Sequence, residues 1–253
     1  MPACSVEIAR SRAARFPVIA ATLLCVCIDA LAVDAPGAHS YEAGTAALDS
    51  GDYETAWRIL PPLAQAGDAR AQNDLGVMYG LGLGVPQSYT KAAVWIKRAA
   101  EQGNPHAQTT LGYMYYRARG VAQDYEAAAL WTRRAAEQGI ASAQSGLGLL
   151  YDRGHGVEQD YAQAVRWYRR AAEQGFPEAQ RNLGSMYEFG HGVPADPVTA
   201  YAWYGVASAA GDEPALQLRA RVAERLSQEQ IERARALARE LHAQYATPGQ
   251  AVP

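Results

Sequence analysis

Residues Asn104–Gly139 read NPHAQTTLGYMYYRARGVAQDYEAAALWTRRAAEQG, and the same pattern stands 36 residues earlier, 36 later and 72 later. Leu75, Leu111, Leu147 and Leu183 share one column. Gly76, Gly112, Gly148 and Gly184 share the next, and Tyr79, Tyr115, Tyr151 and Tyr187 another. Trp95, Trp131, Trp167 and Trp203 follow in each copy, which then closes on Gly103, Gly139, Gly175 or Gly211. Four copies without a gap make this a repeat protein. A helical unit this short buries its apolar face only by stacking on copies of itself.

Each unit divides into two helices. In the first, Ala71, Leu75, Met78 and Tyr79 recur at i, i+4, i+7 and i+8, which is one helical face and not a strand alternation. Gly76 and its equivalents cost about 1 kcal/mol each against alanine in a helix interior, so their recurrence predicts another backbone lying close by. A loop such as Arg117–Gln123 follows, with glycines at 84, 120, 156 and 192 free to take a positive φ. Ser88, Asp124, Asp160 and Asp196 precede the second helix, and all four are capping residues. Pro197 fits the first helical position. The second helix is expected to bury Ala92, Trp95 and Ala99 and to end at its closing glycine. In two units Pro105 and Pro177 open the next helix.

The flanks differ. Residues 1–32 have the pattern of an export segment: Arg10, Arg12 and Arg15, then an apolar run from Phe16 to Ile28 too short to prefer spanning a bilayer, then Ala30-Leu31-Ala32 as a cleavage site. An uncleaved anchor is the alternative. All three cysteines lie inside this segment, so the exported chain would be thiol-free and unstapled by disulfides. Without it the chain carries 20 basic against 24 acidic residues, which gives no electrostatic reason to expect nucleic acid. Residues 33–40 form a leader. Tyr41–Gly67 reads as a helical hairpin, with Ser50-Gly51-Asp52 as its turn and Asp52 capping the helix from Tyr53. After Gly211, Asp212 caps a helix to about Leu226. Ser227 and Gln230 then make a capping box for a helix striped by Ile231, Ala234, Ala238, Leu241 and Tyr245. This pair closes the stack. Residues 246–253 form a tail that is expected to be disordered.

The motif Ala-x-x-x-Leu-Gly-x-x-Tyr, then Gly-x-Gly-Val, then Asp-Tyr-x-x-Ala-x-x-Trp-x-x-x-Ala-Ala-Glu-x-Gly resembles the Sel-one-like repeat family. Ile140–Gly175 carries nearly all of it, from Ala143, Leu147 and Gly148 to Asp160, Trp167 and Gly175. The resemblance covers units 68–103, 104–139, 140–175 and 176–211. Residues 41–67 loosely resemble a tetratricopeptide repeat through Gly44, Ala56, Leu60 and Ala64. Ala118 stands in place of the first loop glycine, and the fourth unit has Gly205, Val206 and Ala209 where others carry two bases and Glu. That loss suggests packing against the C-terminal pair. The resemblance implies an all-α, right-handed α-solenoid of about twelve helices and a non-enzymatic adaptor that binds proteins. It also implies, from exported bacterial members, roles in envelope assembly, exopolysaccharide export or host contact.

Columns that vary are candidates for contact. On the first helix they read Asn73, Thr109, Ser145, Arg181; Asp74, Thr110, Gly146, Asn182; and Val77, Tyr113, Leu149, Ser185. First helices of such stacks tend to line the inner curve. Val77, Tyr113 and Leu149 would then be an apolar strip rimmed by small polar groups, suited to a peptide or helix. The alternative is burial of this column between adjacent units. On the second helices, Lys97-Arg98, Arg133-Arg134 and Arg169-Arg170 form a charge ladder backed by Glu101, Glu137 and Glu173. It reads as a solvated outer face with Arg98–Glu101 pairing, or as a stripe for an anionic polymer or lipid headgroup.

Several patterns look chemical. Ser88-Tyr89-Thr90-Lys91 has the Ser-x-x-Lys spacing of penicillin-interacting enzymes, but Ser88 occupies the capping column and no Lys-Thr-Gly or Ser-Asp-Asn accompanies it. Gly80–Gly84 resembles a phosphate loop but lies between helices. His155 and His191 share a loop column, with Asp152 and Glu188 the only other metal-ligand types nearby; solvated loop histidines are the simpler reading. The aromatic columns sit at helical spacing with alanine and leucine, as a core does. The expectation is an exported adaptor in the periplasm, or released from it, that grips a protein or peptide of the cell envelope. No catalytic residue, cofactor, metal, nucleic acid or obligate small molecule is expected. The alternatives are an envelope hydrolase of beta-lactamase or peptidoglycan type, and a purely architectural homo-oligomeric stack.

Overall fold

The computed structural model describes residues 40–245. The expected export segment, its cleavage site, nearly all of the leader and the tail therefore lie outside the described residues. Within them every regular element is a helix. The hairpin α1 (Tyr41–Asp49) and α2 (Tyr53–Gln65) comes first. Four pairs of 13-residue helices follow: α3 (Ala69–Leu81) with α4 (Tyr89–Glu101), α5 (Pro105–Arg117) with α6 (Tyr125–Glu137), α7 (Ala141–Arg153) with α8 (Tyr161–Glu173), and α9 (Pro177–Phe189) with α10 (Pro197–Ala209). α11 (Glu213–Ala223) and α12 (Gln228–Tyr245) end the series. From α1 to α11 each helix packs on the next, both within a unit and across to the following one, and α12 returns to pack on α10, which makes an α-solenoid.

The capping columns act as expected. Ser88 Oγ accepts from the Lys91 N–H at 3.3 Å, Asp124 Oδ1 from Ala127 and Asp160 Oδ1 from Gln163, both at 2.9 Å. Ser227 and Gln230 close a reciprocal capping box, at 2.9 and 3.2 Å. First helices end on a left-handed residue, which is glycine at 82, 154 and 190 but Ala118 in α5, at φ 55°. Because a Cβ there crowds the following carbonyl, Ala118→Gly is expected to stabilise the protein by about 0.5–1 kcal/mol in chemical denaturation.

The second helix departs from expectation. Its buried face is Ala92, Ala93, Ile96, Ala99 and Ala100, while Trp95 is only half-buried. The tryptophans are covered instead by arginine: the Arg98, Arg134 and Arg170 guanidiniums lie 4.5–4.6 Å from the ring centres of Trp95, Trp131 and Trp167. In the other basic column, Arg133 and Arg169 donate to the hydroxyls of Tyr151 and Tyr187 in the next unit, at 2.9 and 2.8 Å. Glu101 pairs with Lys97 at 3.8 Å, not with Arg98. The ladder is thus the largely exposed outer face that was expected, with Arg133 and Arg169 also tying their units to the next and Arg98, Arg134 and Arg170 lying over the tryptophans of their own helices.

The helix-interior glycines do mark close approach, of a side chain as much as of a backbone. A Cβ on Gly148 would come 2.7 Å from Tyr168 Cδ1, and one on Gly76 2.6 Å from Ile96 Cδ1. A second set of internal ties was not foreseen. Gln72, Gln108, Gln144 and Gln180 are buried, and each donates to a carbonyl of the preceding unit, from Ala64, Ala100, Ala136 and Ala172, at 3.0–3.2 Å. The first three also accept from Gln102, Gln138 and Gln174 of their own unit at 2.7–2.8 Å. Gln180 Oε1 has no protein donor among the described residues, because Ala210 stands in that column.

The C-terminal pair closes the stack. α10 is buried from Ala200 through Ala207, as its lack of charged residues predicts, and both α11 and α12 lie on it. Tyr245 stacks on Trp203 with ring centres 6.2 Å apart. Glu188, its side chain 1% exposed, holds α11 by ion pairs to Arg221 at 3.1 Å and Arg225 at 2.6 Å and accepts from the Tyr204 hydroxyl at 2.8 Å. Burial, and then the Glu188 carboxylate, push the Tyr204 hydroxyl well above the usual tyrosine range.

Candidate functional site

Among the described residues the first-helix face holds a cleft of about 410 Å³ between α5 and α7, reaching the start of α9. Its cause can be read from two columns. The residue facing the interior glycine of each unit is Ile96, Thr132, Tyr168 or Tyr204, so Thr132 is the only small member. The column of Asp74, Thr110 and Asn182 has Gly146 in the third unit, where a Cβ would meet only the Thr132 methyl at 3.4 Å. Two truncated side chains, one on each wall, leave a space their neighbours fill elsewhere.

Of the eight residues proposed for partner contact, Thr109, Tyr113, Ser145 and Leu149 line this cleft. Tyr113 is 45% exposed, Leu149 half-buried and Ser145 buried. The Thr109 hydroxyl is spent on the Pro105 carbonyl, at 2.9 Å. Asn73, Val77, Arg181 and Ser185 stand apart from it. Asn73 donates to Asp74 at 3.1 Å, and burial pushes that carboxyl above the usual aspartate range. Arg181 is held by Asp212 at 2.9 Å, so it ties α9 to the cap. Thr132, Tyr116, Arg117, Phe176 and Glu178 line the cleft without having been singled out. Comparing the Ile96, Thr132, Tyr168, Tyr204 column would have found the first of them.

The chemical-looking motifs resolve into structure. Ser88 caps α4, and the Lys91 ammonium lies 5.3 Å from the centre of the Tyr79 ring, so neither faces the other as nucleophile and base. His155 and His191 do not meet. Each stacks at 4.5 Å on the tyrosine that opens the preceding unit's second helix, Tyr125 and Tyr161 respectively. Only His191 is exposed; His155 is half-buried. Among the described residues no group of three or more His, Cys, Asp or Glu is placed to hold a metal, and no helix is long and apolar enough to cross a membrane.

The family model of the Sel1 repeat matches four times, over residues 69–104, 105–140, 141–176 and 177–212, one residue later than the units delimited above. The solved structure of a Sel1 repeat protein from Oxalobacter formigenes is 32% identical, with a TM-score of 0.66 over 81% of this chain and 85% of that one. Another, a protective antigen present in uropathogenic Escherichia coli strains and displaying an SLR fold, is 30% identical, with a TM-score of 0.53. That match covers 76% of this chain but only 49% of the antigen. No curated protein gives a significant match.

Proposed function

The chain belongs to the Sel1 repeat family, and from that premise we propose that it is a non-catalytic scaffold of the cell envelope that holds a segment of another protein against its first-helix face. A stack of this kind suits protein interaction, because rigid neighbouring units display one long side to solvent. The observation that carries the reading is the cleft between α5 and α7, with exposed Tyr113 at its mouth and Leu149 in its wall. An exposed aromatic beside a concave apolar wall is the usual anchor for a partner side chain. The export pattern of residues 1–32 supports an envelope location, periplasmic or released.

Affinity capture from envelope extract tests this reading. Tyr113→Ala with Leu149→Ala is expected to remove the partner recovered by the unaltered chain, while the helical circular dichroism is kept. Unchanged capture would end the proposal. Nitrocefin turnover that disappears in Ser88→Ala would favour the hydrolase, and an oligomer that persists in light scattering without a partner would favour the architectural stack.

A further inference from the structure

A string of alternating rings and guanidiniums crosses three units and meets the cleft at Tyr113, Tyr116 and Arg117. The Arg119 Cζ lies 5.4 Å from the centre of the Tyr89 ring and 5.5 Å from that of Tyr113. Arg117 comes next, 5.9 Å from Tyr113 and 5.5 Å from Tyr116. Arg153 then donates to the Tyr116 hydroxyl at 3.4 Å. All three arginines are exposed, and among the described residues none has a carboxylate within 4 Å. Asp152 feels the charge of Arg153 without a salt bridge, and burial holds its carboxyl above the usual range. Glu178, also on the cleft, leans towards Arg181 at 3.9 Å. The last turns of α5 and α7 favour a cation, which accounts for Arg117 and Arg153. Arg119 lies beyond α5, in the loop column of His155 and His191, and packs on Tyr89 as they pack on Tyr125 and Tyr161, but it brings a full charge to that position.

Rings beneath a guanidinium fix its plane while leaving its donors turned outward, and arginine so held suits carboxylate recognition. The chain as a whole is net acidic, at −3, so this unpaired basic rim is a local exception. We propose that the cleft and its rim recognise an acidic peptide segment carrying one large apolar side chain. The apolar group enters between Tyr113 and Leu149, and flanking carboxylates lie along Arg119, Arg117 and Arg153. This inference rests on the groove reading above and adds the chemistry of the occupant.

Panning a phage-displayed library of random dodecapeptides on the full chain tests it. The expected consensus is an aromatic or long aliphatic residue flanked by Asp or Glu. A synthetic peptide of that consensus should bind at least about tenfold more weakly to Arg117→Glu with Arg119→Glu, and should lose affinity as salt rises. Thr132→Tyr should weaken it at least as much by filling the cleft, and the fold accepts tyrosine at the equivalent positions 168 and 204, each beside its glycine. Peptides that need the open cleft but show no acidic excess would overturn this inference and leave the groove standing. Failure to enrich any peptide, or binding indifferent to Thr132→Tyr, would overturn both. Tighter binding of a single-stranded oligonucleotide or of alginate, lost in the double charge reversal but kept in Thr132→Tyr, would replace the peptide by a polyanion.

Discussion

Gly156→Ala is expected to destabilise the protein by about 2–5 kcal/mol, lowering the thermal midpoint by roughly 5–15 °C. Two independent costs meet at this position. Its φ is +68°, where an L side chain is strained by about 1–2 kcal/mol. A Cβ would also strike the Tyr125 carbonyl and come 2.7 Å from the Glu126 nitrogen, at the start of the preceding unit's second helix. Backbone held in a helix cannot step aside as a flexible side chain can, so the whole loop must lift, and with it the stacking of His155 on Tyr125. Gly103→Ala is the control. Its φ is +90°, but a Cβ there has nothing within 4 Å, so it carries the strain alone. Thermal unfolding followed by circular dichroism should separate the two. Equal costs would mean that loop docking contributes nothing to the coupling of units.

The second large effect is at the closed end. Arg221→Ala with Arg225→Ala strips both cations from Glu188, whose side chain is 1% exposed. An uncompensated carboxylate in such a place costs about 3–5 kcal/mol, more than the pair contributes when intact. Glu188→Gln in that background removes the charge, keeps an acceptor for the Tyr204 hydroxyl and should recover most of the loss. The three changes are therefore strongly non-additive. Hydrogen exchange should locate the damage, with amides of α11 and α12 opening before those of α3–α8, because units are coupled mainly to their neighbours and α12 touches α8 only slightly. Uniform loss of protection along the chain, or no rescue by Glu188→Gln, would refute this account of the cap.

Much of this architecture was legible because a repeat prints its constraints several times over. Leucine, alanine and capping columns mean the same thing in every copy, so helix bounds and the position of the cap followed from spacing. What escaped depended on contacts between columns. Trp95 looked like core by its helical phase, but its burial depends on Arg98 folding over it, and only Trp203, beneath Tyr245, is fully covered. The Gln72 column is as constant as leucine and the Gln102 column departs only at Ala210, yet polar residues give no periodic apolar signal. Of the candidate site, Thr109, Tyr113, Ser145 and Leu149 were found by their variability. The cleft itself arises from what Thr132 and Gly146 lack, and the rim brings together Tyr89, Arg119, Tyr116 and Arg153 from three different units.

The glutamine ties bear on how such a chain can change length. An interior unit supplies one amide to the unit before it and satisfies its own acceptor, so tandem duplication of 36 residues inside the array leaves every bond of this kind intact. The final unit differs: Gln180 lacks its donor, Ala210 replaces it, and α10 has traded charge for a surface that only α11 and α12 fit. Growth by unequal recombination is therefore tolerated in the middle and blocked at the end, so relatives of different length should share this terminus while differing in the number of units ahead of it.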